Sequence, residues 1–241
     1  MPICQLCQND KELRDSHIIP KFLYKDLRNT DYKMIGVNGQ GPLGRTVLQD
    51  GPYERLLCDS CEQHFNEQFE KPFHQQWFTS PSLPTTLKVG DIHWITVRYN
   101  SFKLFHLSVL FRASVSTLPM FSSVKLGNCH ETRLRQALFD GTPGTSTQDP
   151  ILGCAIVHHE TNQCVPIVTR PEMVKIGAAR AYGMVYGGVK WWIGVSSHPI
   201  KELEKGALQS DGRMPILVSS WKDEPAIQTM SIALNQARRL G

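Results

Sequence analysis

The chain has 241 residues, 41% of them hydrophobic and 20% charged, an ordinary balance for a globular protein with a sizeable core. The formal net charge of +4 is unevenly spread: residues 1–78 carry 9 Lys and Arg against 11 Asp and Glu, and residues 79–241 carry 17 against 11. The composition excludes a disordered polyelectrolyte, and with no apolar run of membrane-spanning length no membrane partner is expected.

In chain order, residues 1–20 read as a knuckle followed by extended chain, and "PKFLYKDLR" as a short helix carried by Phe22, Leu23 and Leu27. "DYKMIGVNGQGPLG" reads as a hairpin with a Gly-rich loop. "YERLL" leads into "CDSC", after which a helix is expected from about Cys61 through "EQHFNEQFE". Pro72 is expected to break or restart it, a second helical piece carrying Phe73 and Trp77. "TSPSLPTT", residues 79–86, has the composition of a linker, which suggests two units, 1–80 and 81–241.

Beyond the linker, "IHWITVRYN" reads as a strand and 102–116 as a buried helix, apolar apart from Lys103, His106 and Arg112. "ETRLRQALFDG" is another helix, with Gly141 as its stop, and "TPGTSTQDP" an exposed loop. "ILGCAIVHHETNQCVPIVT" predicts a hairpin turning near Thr161–Asn162, and "ARAYGMVYGGVKWWIGVSS" a second β pair broken at Gly187–Gly188. "AIQTMSIALNQARRL" predicts a closing helix whose basic end, Arg238 and Arg239, suits its dipole. The fold class is therefore α+β.

Seven cysteines is an odd number, and four of them form two Cys-x-x-Cys pairs, Cys4/Cys7 and Cys58/Cys61. Each such turn offers two thiolates to one ion, and two turns complete a tetrahedral structural zinc site. A redox dithiol would bring one pair beside a βαβ unit instead. No basic-then-apolar leader opens "MPICQLCQND", so a reducing, cytoplasmic location is expected. Knuckle, hairpin and helix in this order predict a treble-clef head.

"CQLC", then "SHIIP", then "LLCDSCE" together resemble the HNH nuclease family, whose ββα-metal fold is often clamped by two such cysteine pairs. The resemblance covers about residues 1–78. It implies an endonuclease hydrolysing phosphodiester bonds of nucleic acid, DNA being the expected substrate, with His17 as general base. It also implies one catalytic divalent metal, Mg²⁺ or Mn²⁺, and is compatible with a role in bacterial defence or a mobile element. Where the family has an acid before the histidine this chain has Ser16, with Asp15 one step back. Glu62 follows the last cysteine in place of His or Asn, and Tyr53 stands where the family often has asparagine.

On a helix turning about 100° per residue, Glu62 shares its face with Phe65 and Phe69, and Asn66 lies about 40° away. Glu62, with Asp15 or Asn66, is thus the candidate ligand set for the catalytic metal. Glu62 reads equally well as a helix N-terminal acid, and Asn66 reads better as a polar helix residue than as a ligand. His17 could be a satisfied core histidine, although imidazole titrates where a base must. The alternative to the nuclease is a catalytically degenerate treble-clef zinc module that binds nucleic acid or a protein partner, the latter through the C-terminal unit.

Three weaker signals complete the reading. Cys154, His158, His159 and Cys164 hint at a second metal site, but two adjacent histidines on a strand point to opposite faces. Trp191, Trp192, Tyr182 and Tyr186 read as core rather than as a base-stacking platform. Arg133, Arg135, Arg170, Arg180 and Lys190 are candidate phosphate contacts by composition alone.

Overall fold

A computed structural model describes residues 2–28, 34–37, 45–48 and 50–225. The expected closing helix and most of the Gly-rich loop lie outside the described residues. The chain is α+β, with an N-terminal head in which the four cysteines gather.

The head begins with a knuckle closed by Gln8 N–H to Cys4 O (2.9 Å) and Cys4 N–H to Asn9 O (3.0 Å). Strand β1 (Leu13–His17) follows, then a 3₁₀ turn (Lys21–Leu27). Strands β2 (Met34–Val37) and β3 (Arg45–Leu48) form the expected hairpin, and β4 (Tyr53–Cys58) pairs antiparallel with β1. A register shift between Arg14 and Asp15 turns both of these side chains to solvent and leaves Ser16 fully buried.

From β4 the chain enters one continuous helix: α1 (Asp59–Phe65), a π-helical turn (Asn66–Glu70), α2 (Lys71–His74) and a second π-helical turn (Gln75–Thr79). Pro72 does not interrupt it. A proline ring collides with the carbonyl four residues back in an α-helix. The wider π turn before Pro72, in which Lys71 N–H reaches Asn66 O, makes room for the ring. Phe65, Phe69, Phe73 and Trp77 recur every four residues and are all buried.

Residues between Thr79 and Ile92 have no regular structure, yet Leu87 is buried and its N–H donates to Asn162 O at 2.8 Å. After β5 (Ile92–Thr96) comes α3 (Tyr99–Val115), in which every residue from Phe102 to Ala113 is buried. α4 (Asn128–Asp140) stops at Gly141, which takes the left-handed conformation.

The remaining strands are β6 (Ile151–Val157), β7 (Glu172–Ile176), β8 (Ala179–Tyr186), β9 (Val189–Val195) and, after the short helix α5 (Lys201–Glu204), β10 (Arg213–Ser220). With β5 they form a six-stranded sheet in the order β5-β10-β6-β9-β8-β7, parallel only between β6 and β10. β8 and β9 make the expected hairpin; Gly187 (φ 61°) and Gly188 (φ 79°) supply the two positive φ angles of a type I′ turn.

The expected β6 hairpin is corrected. The chain does turn at Asn162 (φ 55°), but its return leg is only an isolated bridge, Val157 to Cys164. Both edges of β6 are already taken, by β9 and β10. The loop expected to be exposed at 142–150 is partly buried, since Lys103 donates to the carbonyls of Thr145 and Gln148. α3 lies between the head helix and β9: Phe73 stacks on Phe105 at 3.7 Å, and Trp77 meets Trp191 edge-on at 5.2 Å. One hydrophobic core runs through head and sheet alike.

Candidate metal centre and the His17 cluster

The knuckle presents Cys4 and Cys7, the end of β4 presents Cys58, and the first turn of α1 presents Cys61. Their sulfur atoms all lie within 4.8 Å of one another. Cys4, Cys58 and Cys61 are buried, and Cys7 half-buried. Cys4 Sγ accepts a hydrogen bond from Cys58 N–H at 3.3 Å. The Cys61 thiol beside it, helped by backbone N–H groups of Cys58, Cys7 and Leu6 and opposed by burial, lowers the Cys4 thiol pKa well below its usual range. Four soft donors with one already favouring the thiolate suit a tetrahedral ion, so the group can hold a metal such as zinc. Among the described residues it is the one group of three or more His, Cys, Asp or Glu side chains gathered closely enough to do so.

Beyond this clamp, the end of β1 and the inner face of the head helix form a second polar cluster. Ser16 Oγ donates to Glu62 Oε1 and accepts from Leu57 N–H at 3.2 Å, tying strand to helix. Burial raises the Glu62 carboxyl above its usual range, against the lowering effects of Arg112 and of the Ser16 hydroxyl. Arg112, 1% exposed, comes from α3. Its guanidinium donates to His17 O and to Glu70 Oε1, both at 2.8 Å, and to Ser108 O at 3.3 Å. It also stands over the Phe65 ring at 5.5 Å.

The His17 ring is half-buried, 5.7 Å from the Tyr53 ring, and its Nε2 is buried without a hydrogen-bond partner among the described residues. Burial lowers its pKa. Asp50 and Glu70 oppose that shift, and Lys21 and Arg112 reinforce it, so the neutral imidazole is favoured. Asp50 in turn is held by Lys21 Nζ at 3.1 Å and Arg28 Nη2 at 2.7 Å.

The donors that the resemblance assigns to a catalytic divalent ion are split by this geometry. Asp15 is exposed and faces Arg55 across the hairpin at 3.6 Å. Asn66 is exposed, on the wall of a cleft of about 150 Å³ lined also by Phe22, Glu70, Lys71 and His74. Glu62 alone joins the cluster, where a buried guanidinium already supplies positive charge. These residues therefore do not fit a preassembled Mg²⁺ or Mn²⁺ site.

The sequence assigned no part in this site to Arg112, Asp50, Phe22 or Glu70. Arg112 had a readable signal: a charge inside an otherwise apolar helix needs a buried partner. The hinted second metal site resolves differently. His158 and His159 lie past the end of β6, so strand alternation does not govern them, and their rings stack at 5.0 Å. Trp221 stacks on His158 at 5.2 Å and donates from Nε1 to His159 Nδ1 at 3.0 Å. Trp191, Tyr182 and Tyr186 are core residues. Of the candidate phosphate contacts, Arg133 is bound to Asp149 and Lys190 to Glu172 and Glu224.

Among the described residues no helix is long and apolar enough to cross a membrane. No family model, curated protein or solved structure matches the chain.

Proposed function

We propose that the protein is an HNH-like endonuclease in which a zinc-clamped head presents His17 as general base for hydrolysis of a nucleic-acid phosphodiester, DNA being the first substrate to test. One observation carries the reading: at the end of the clamped strand pair stands an imidazole kept neutral by burial, with a buried ring nitrogen that no described residue hydrogen-bonds. A neutral ring is the form that accepts a proton from an attacking water. Lys21 and Arg28, gathered on Asp50 beside it, bring positive charge to where a phosphate would lie. The C-terminal unit, with its excess of Lys and Arg, supplies further attraction for a polyanion.

A specific observation favours a second reading, a catalytically silent module that binds nucleic acid or a protein. Ser16 and Glu62 satisfy each other, and Arg112 takes the place in the local charge balance that a cation would hold. A plasmid-nicking assay with Mg²⁺, with Mn²⁺ and with EDTA, on wild type and His17→Ala, separates the two. Nicking by wild type that His17→Ala loses supports the nuclease. Salt-dependent binding by both with cleavage by neither supports the silent module, and no nucleic-acid binding leaves a protein partner.

A further inference from the structure

We infer that the cleft between the 3₁₀ turn and the head helix is a subsite for an unpaired nucleobase next to the phosphate that His17 would act on. This rests on the reading of the chain as one that acts on nucleic acid. Two aromatic rings, Phe22 and His74, line the cleft, and Phe78 stands beside both. Phe22 stands edge-on to His74 (5.2 Å, 88°) and to Phe78 (5.9 Å, 80°), while His74 and Phe78 are only 35° from parallel at 5.6 Å. Phe22 is held from behind by Phe73 and Phe105, at 6.3 and 6.2 Å. His74 is exposed, and Phe78 is 37% exposed on the last turn of the head helix. An exposed, rigidly backed pair of flat rings is a surface on which any base can stack.

The polar groups around the cleft suit a neutral heterocycle better than a bare anion. The Asn66 carboxamide offers one donor side and one acceptor side to a base edge. Lys71 is paired with Glu67, and Glu70 is neutralised by Arg112. The cleft adjoins His17 through shared groups: Glu70 in its wall holds the same guanidinium as the His17 carbonyl, and Lys21, whose charge acts on His17, directly precedes Phe22. Bases inside a duplex are already stacked on both faces, so single strands, ends and bulges are the substrates this cleft favours.

The test uses the full zinc-loaded chain carrying His17→Ala, to hold substrate intact. The probes are a single strand of about 12 nucleotides with one 2-aminopurine and the matching duplex. Fluorescence titrations compare this protein with versions that add His74→Ala, Phe78→Ala or, as an exposed aromatic control outside the cleft lining, Trp94→Ala. The expected result is tighter binding of the single strand with quenched 2-aminopurine. His74→Ala and Phe78→Ala each weaken that binding about 5- to 150-fold, while duplex binding and the Trp94→Ala protein are unchanged. Equal affinity for strand and duplex, or no effect of either cleft substitution on a protein that still binds nucleic acid, overturns the subsite and leaves the nuclease reading standing. Absence of salt-dependent binding to either probe overturns both.

Discussion

Replacing Arg112 by Met tests how far the head depends on the rest of the molecule. Arg112 is 1% exposed and the Glu70 side chain 17%, so the pair is shielded from solvent. Methionine keeps most of the side-chain volume but removes four donations: to the Glu70 carboxylate, to the His17 carbonyl, and to Ser108 O and Oγ. A mostly shielded carboxylate and a strand-end carbonyl then lose this donor. Breaking a buried pair from one side costs about 3–5 kcal/mol, which for a chain of this size lowers Tm by roughly 6–20 °C. The double variant Arg112→Met/Glu70→Leu removes the stranded charge and should recover at least about 2 kcal/mol of that loss. Urea unfolding of the zinc-loaded chain, followed by the fluorescence of buried Trp77 and Trp191, measures both. A single variant costing under about 1 kcal/mol, or a double variant that is worse than the single one, would refute the claim that Arg112 pins the head from α3.

Three further outcomes follow from the same geometry. The chain should bind one zinc at the four cysteines; Cys58→Ser should weaken that binding more than about 100-fold in a chelator competition, whereas exposed Cys129→Ser should leave it unchanged. His106 is fully buried with Nδ1 2.6 Å from Tyr186 Oη, and burial holds it neutral well below the usual imidazole range. Since the unfolded chain takes up that proton near pH 6.5 and the folded chain does not, stability falls as pH drops. Between pH 7.5 and 5.5 the loss from this residue is about 1.4 kcal/mol, and His106→Leu should flatten the urea-measured profile by that amount. Glu54 on β4 accepts from Ser116 Oγ at 2.7 Å, Thr117 N at 2.9 Å and Thr117 Oγ1 at 2.6 Å. Burial acts to raise its pKa, but these bonds outweigh it and lower the carboxyl, so the stability it adds is present above about pH 4.3 and lost as pH falls through the folded value. Glu54→Ala should cost about 1–2 kcal/mol at pH 7, and a loss that persists undiminished at pH 3 would count against this clamp.

Local chemistry was readable from the sequence where one short segment carries all of it. Each Cys-x-x-Cys turn sets its own ligand spacing, Gly187–Gly188 sets its own turn, and the apolar run of α3 announces its own burial. What stayed hidden depends on partners far along the chain. Arg112 meets His17 across 95 residues, and nothing near either residue names the other. β10 carries a regular buried alternation at Met214, Ile216 and Val218, but Pro215 argues against a strand between two neighbours. The structure accommodates it because pairing with β6 starts only at Ile216. Asp15 looked like a ligand because it precedes the histidine motif. The shift in β1 that turns it outward is a property of the β1–β4 pairing and leaves no mark in β1 alone.

The same distant contacts bear on why the head is joined to so large a body. Minimal zinc-clamped hairpins bury little apolar surface and lean on the metal for stability. Here the inward ring Phe73 of the head helix lies against Phe105 of α3, and Trp77 against Trp191 of β9. Glu54 of β4 holds the chain leaving α3, and Arg112 of α3 holds the end of β1. Strand, helix and base candidate are thus fixed by α3 from one side and by the cysteines from the other. On the proposed reading, the strand that carries His17 is placed by these backbone contacts on one side and by the cysteine group on the other, and not by a second metal.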